Sequence, residues 1–110
     1  MDLAGRHDTI ADTPVLVLLG EIDLATLPVL HQHLQRLVTE HRSTTVVVDL
    51  DGVQALADSG LGLLLGAAGQ ARQSGGELVV VSSQQRQLDR FRLTGLDRAI
   101  TVRSSVTGAG

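Results

Sequence analysis

Residues 46–66 read VVVDLDGVQALADSGLGLLLG, and this stretch decides the fold. The run VVVDL at 46–50 has the continuous aliphatic character of a strand buried on both faces. A short loop is expected next. Asp58-Ser59-Gly60 then stands at the mouth of an apolar helix running to about Gln73. This order presents one hydroxyl, Ser59, at a helix N-terminus. Unpaired backbone N–H groups and the helix dipole favour negative charge there, so the position suits attachment of a phosphate.

The flanking sequence repeats the alternation of strand and helix. Residues 7–11 are read as a first edge strand and Asp12-Thr13-Pro14 as a turn. VLVLL at 15–19 reads as a second buried strand, closed by Gly20-Glu21-Ile22-Asp23. A helix capped by Thr26 or Asp23 follows, with Pro28 tolerated in its first turn. Leu27, Leu30, Leu34, Leu37 and Val38 give it an apolar stripe, and it ends near His41. The helix after Asp58 is apolar nearly all round, which predicts deep packing, and Ser74-Gly75-Gly76 predicts a glycine C-cap. Residues 78–81 read as another buried strand. Ser82 or Ser83 is a candidate cap for a third helix over 84–93, ended by Gly95 with Leu96 packing back. Residues 100–102 suit a last short strand, and 104–110 read as a loose tail. Strands joined by helices imply crossovers and mostly parallel neighbours, with an antiparallel edge at the N-terminus.

Composition narrows the function classes. The chain has 110 residues, which predicts a single domain. It contains one Phe and no Tyr or Trp, which argues against aromatic stacking on bases or sugars. The net charge is −3 and no basic run occurs, so nucleic acid and anionic membranes are poor partners. There is no cysteine, so disulfides and thiol catalysis are excluded. No signal core or spanning segment is legible, and a cytoplasmic location is expected.

Asp58 or Ser59 merely capping a helix is the plain alternative to a functional serine. Two details favour function. A cap needs one short polar residue and two are present, while Gly60 and Gly62 lower helix propensity by roughly 1 kcal/mol each. Small residues there let another backbone, or a kinase, approach the serine. Gly60, Gly62 and Gly66 have the spacing GxGxxxG, but nine residues separate Leu50 from Gly60, too many for a dinucleotide loop. Close helix packing is the expected reason for these glycines. His7, His31, His33 and His41 lack metal-ligand spacing and are read as solvated surface groups. Asp23, Asp49 and Asp51 sit at strand ends, where turn chemistry is expected rather than Mg²⁺ binding or acid–base work. The segment 84–92 is read as the solvated face of the third helix.

Three motifs, in order, resemble the STAS domain family (sulphate transporter and anti-sigma factor antagonist) across residues 15–102. They are Gly20-Glu21-Ile22-Asp23, the strand 46–50 leading to Ser59-Gly60-Leu61-Gly62, and Phe91-Arg92-Leu93-Thr94-Gly95-Leu96-Asp97. The similarity is strongest to bacterial single-domain anti-sigma factor antagonists. It implies an α/β fold: a mixed sheet of four to five strands with three to four helices against it. No nucleophile–base pair can be named in the chain, so neither an enzyme nor a cofactor is expected. Such an antagonist binds an anti-sigma factor of the serine-kinase type and is switched off by phosphorylation at Ser59. A phosphatase restores it, and ATP and Mg²⁺ belong to the kinase. Asp23, Asp58, Ser59, Gly60, Leu61 and Gly62 are the expected contact residues, and a homodimer is left open. One departure stands out: the family commonly has an Asp two residues before the serine, where this chain has Ala57. A constitutive antagonist, a STAS partner of a lipid-transport ABC ATPase and a small-ligand sensor are therefore the alternative readings.

Overall fold

The computed structural model describes residues 2–105. Five strands and four helices follow one another as β1 (Leu3–Ile10), β2 (Thr13–Ile22), α1 (Leu27–Glu40), β3 (Thr45–Leu56), α2 (Asp58–Gln73), β4 (Glu77–Val81), α3 (Gln85–Thr94), α4 (Leu96–Ala99) and β5 (Thr101–Arg103). The strands lie side by side in chain order in one sheet. β1 is antiparallel to β2, and every later neighbour is parallel.

Alternation along the strands sorts their aliphatic side chains onto two faces. Leu16, Leu18, Ile22, Val46, Val48, Leu50, Val53, Leu78 and Val80 join one large core with side chains from all four helices. Val15, Val47, Val79 and Val81 form a smaller cluster on the opposite face. The central strands are thus buried on both faces, as their uninterrupted runs predict. Leu19 departs from this and is 49% exposed. Alternation from Leu18 puts it on the smaller face, across Gly52, whose missing Cβ leaves room for the Leu19 side chain.

Three boundaries differ from the sequence expectation. The first turn is Ala11-Asp12, not Asp12-Thr13-Pro14. Both residues have positive φ, 51° and 65°, the geometry of a two-residue hairpin turn, so Thr13 and Pro14 belong to β2. β1 begins at Leu3 rather than His7 because Leu3 to Ile10 all pair with β2. The loop expected after Leu50 is strand: Gly52, Val53, Ala55 and Leu56 pair with Leu19, Gly20, Glu21 and Ile22. The far end of the expected tail, residues 106–110, lies outside the described residues.

Two glycines are required by positive φ. Gly20, at φ +116°, lets the start of β1 come close: a Cβ there would stand 2.2 Å from the Asp2 carbonyl oxygen. At the far end of α2, Gly75 takes φ +88°. Its N–H donates to the Arg72 carbonyl and that of Gly76 to the Ala71 carbonyl, the paired bonds of a Schellman ending.

Candidate functional site

β2 and β3 end together, and the chain leaves both ends toward helices. After Ile22, Asp23 and Thr26 close a reciprocal turn. The Thr26 N–H donates to the Asp23 carboxylate at 3.0 Å, and the Asp23 N–H donates to Thr26 Oγ1 at 2.9 Å. Thr26 Oγ1 in turn donates to the Glu21 carbonyl at 2.8 Å. Asp23 is therefore committed to setting the start of α1, the helix that Pro28 then opens.

At the end of β3, the Ala57 N–H donates to the Ile22 carbonyl at 2.9 Å. Ala57 is the N-cap of α2 and is extended. Neither Asp58 nor Ser59 caps the helix, contrary to the plain alternative; they occupy its first two positions. Ser59 is exposed, and its hydroxyl has no hydrogen-bond partner among the described residues. Asp58 is paired with Arg90 of α3, Nη2 to Oδ1 at 2.5 Å, its own side chain 89% exposed.

The expected contact residues divide by direction. Ser59, Asp58 and Gly62 face outward, and Asp23 lies beside them, half-buried. Gly60 and Leu61 turn inward. A Cβ on Gly60 would stand 2.5 Å from Ile22 Cγ2, and Leu61 belongs to the main core. Close packing thus explains Gly60. It does not explain Gly62 or Gly66, where an added Cβ would meet nothing within 4 Å. α2 is correspondingly not packed all round, and Leu65 on its outer side is 41% exposed.

Residues outside the expected set complete the surface. Leu24, Leu27, Pro28, His31 and Leu63 line an apolar groove of about 560 Å³ with Ser59 at its edge. Leu24 is 80% exposed. The groove continues along the α1–α2 seam past Gly62 and Gly66 to Gln35 and Gln70, which bond each other at 2.6 Å. The signal in the sequence was Leu24 itself, an apolar residue in an otherwise polar turn and off the stripe of α1.

The strand-end acids are occupied structurally. The Asp51 carboxylate accepts the Ser83 N–H at 2.6 Å and its hydroxyl at 2.9 Å, and Asp49 accepts the Asp51 N–H at 2.9 Å. Segment 84–92 is more than a solvated face. Buried Gln87 donates to the Leu50 and Val53 carbonyls, and Arg86 donates to the Gln54 carbonyl, fixing α3 against β3. Gln84, not a serine, is the N-cap of α3, while Ser82 accepts the Gln84 N–H at 3.2 Å. The glycines of the GxGxxxG spacing lie within α2, not in a strand-to-helix turn. Among the described residues, no three His, Asp or Glu side chains converge as metal ligands, and no helix is long and apolar enough to cross a membrane.

The site is thus an exposed serine at the edge of an apolar groove, carried on a mixed sheet whose helices contribute to one core. The family model described as "Mlab, STAS domain" matches residues 6–104, and the chain belongs to the STAS domain family. Solved structures share the fold. An anti-sigma factor antagonist from Mycobacterium paratuberculosis is 24% identical, with TM-score 0.79 over 96% of this chain and 89% of that one. A putative anti-sigma factor antagonist from Thermotoga maritima is 18% identical, with TM-score 0.79 over 96% and 90%. The Bacillus cell fate determinant SpoIIAA in its phosphorylated form is 18% identical, with TM-score 0.67 over 93% of each chain.

Proposed function

We propose that this chain is an anti-sigma factor antagonist, a single STAS domain acting in the cytoplasm without a cofactor of its own. Its partner is an anti-sigma factor of the serine-kinase type, docked on the groove at the start of α2. Phosphorylation of Ser59 switches the contact off, and a phosphatase restores it. The observation that carries this reading is the exposed Ser59 hydroxyl at the edge of an apolar groove whose Leu24 is 80% exposed. Asp23, Asp58, Ser59 and Gly62 supply the rim, while Gly60 and Leu61 hold α2 in place.

The physical logic of the switch is local. A phosphate adds about −1.5 to −2 charges at neutral pH. At the second position of a helix the dipole tolerates it, so the fold survives. The same dianion beside an apolar groove must be desolvated when a partner closes over it, and that cost weakens docking. Phosphosite mass spectrometry on protein from its own host is expected to find phosphate on Ser59. In binding measurements with the serine-kinase anti-sigma factor, Ser59→Asp is expected to weaken the complex at least about tenfold, roughly 1.4 kcal/mol. Its circular dichroism should match the parent. Equal affinity of Ser59→Asp and the parent overturns the reading.

A second reading uses the same groove without phosphorylation, in a constitutive antagonist or a partner of a lipid-transport ABC ATPase. Ala57, in place of the acid two residues before the serine, favours it. An unphosphorylated Ser59 under all growth conditions, with co-purification of an ATPase, selects this alternative.

A further inference from the structure

His7 of β1 and His33 of α1 meet across the strand–helix interface, correcting the expectation that both are solvated. His7 Nε2 lies 3.0 Å from His33 Nδ1. The ring centroids are 5.2 Å apart and the planes are tilted by 36°. The backbone makes room for this contact: a Cβ on Gly5 would stand 2.7 Å from His33 Nε2. Glycine inside a strand weakens it, and here it seats the ring. His7 and Gly5 oppose Leu16 and Leu18 of β2, so the neighbouring strand offers only aliphatic groups on that face. The charged surroundings come from the helix side: Arg36, Glu40, His33 and the C-cap residue His41.

A bond between two imidazoles needs one N–H and one lone pair, so at most one of the two facing nitrogens carries a proton. A second proton leaves two donors facing each other and two like charges in contact. We infer that His7 and His33 form an acid-opened clasp that holds the edge strand β1 on α1. Burial, then Arg36 and His33, and more weakly His41, hold His7 below the usual histidine value, against the opposing Glu40. The sign follows. The opened form takes up a proton more readily than the closed one, so the clasp is intact above the ordinary histidine range. It is lost as pH falls through the lower pKa that closed His7 has beside a charged His33, since a proton on one ring alone still leaves a donor facing a lone pair. Between those two values the opening constant rises by up to about tenfold per pH unit. β1 pairs with β2 alone, so the opening is a local event at the sheet edge.

The test is an imidazole ¹⁵N NMR titration of the full chain, combined with amide exchange of β1 corrected for intrinsic rates. His7 is expected to titrate below the ordinary range in the parent and to move upward in His33→Gln, where the amide oxygen accepts from either protonation state. Protection of residues 5–9 is expected to fall severalfold between about pH 6.5 and 5.5 in the parent, and to lose that dependence in the variant. The parent's measurements decide alone if the variant does not fold. Identical His7 titration in the two proteins, or β1 protection independent of pH in the parent, overturns the clasp.

Discussion

The two faces of α2 use glycine for opposite reasons. On the inner face, Gly60 lies against Ile22 with no room for a methyl group, and Leu61, Leu64, Ala67, Ala68 and Ala71 continue into the core. On the outer face, Gly62, Gly66 and Gly69 have open space where a Cβ would be. Each outer glycine costs about 1 kcal/mol of helix propensity relative to Ala, and nothing within the described fold requires it. The inner face is explained by this chain alone. The outer face is a local inconsistency of the kind found where a surface serves something other than its own stability.

The inner face is where substitution costs most. Leu64 is fully buried. Leu64→Ala is expected to destabilise by about 2–5 kcal/mol in chemical denaturation, through lost burial and the cavity left behind. A loss below about 1 kcal/mol would mean that the helix can collapse onto the sheet, and the inner face would not be tightly specified. Gly60→Ala comes next. Its new methyl meets Ile22 Cγ2, part of a stiff β-branched side chain at the end of β2. An overpacking cost of about 1–3 kcal/mol is expected. Because Ala57 also bonds the Ile22 carbonyl, the same change should shift the amide resonances of Ala57 and Asp58.

What was legible in the sequence follows the range of the interaction that fixes it. Both ends of α2 are legible, because its start and its Schellman ending depend on residues within a turn of one another. The strands at 46–50 and 78–81 are legible as aliphatic runs. The extension of β3 through Leu56 is not, since Asp51, Gly52 and Gln54 have loop composition and the segment is strand because Gly52, Val53, Ala55 and Leu56 pair with β2. The hairpin turn was displaced by one residue because Ala11-Asp12 lacks the glycine that marks positive φ. Ser59 and its helix position are legible from residues 58–60 alone. The groove beside it is not, because Leu24 and Leu63 share a wall only once α1 and α2 are side by side. The His7–His33 contact spans 26 residues and has no local signature.

The outer face predicts the opposite sign. Gly62→Ala and Gly66→Ala are each expected to stabilise by about 0.5–1 kcal/mol, seen as higher midpoints in thermal or chemical denaturation. The two changes sit one turn apart, and their methyl groups enter open space, so they should add. Destabilisation by either would erase the contrast with Gly60 and show that the outer face is also under packing constraint.

The smallest effect is expected at the helix start, where the two faces meet. Asp58 and Arg90 are close, but the Asp58 side chain is 89% exposed, and ion pairs with an exposed partner contribute little. A double-mutant cycle with Asp58→Asn and Arg90→Gln is expected to give a coupling of about 0.5 kcal/mol or less, reduced further in 1 M salt, where the Debye length is about 3 Å. A coupling well above about 1 kcal/mol would mean that α3 holds the start of α2 in place. Ser59 would then sit on a tethered turn, and the α2 N-terminus would owe its position to charge. With a small coupling, the position of Ser59 rests on the contacts beneath it: the Ala57 bond to Ile22 and the close seat of Gly60. The serine is then exposed on the outer side of a helix whose inner face is rigidly seated, and charge added at Ser59 changes the surface without moving the helix that carries it.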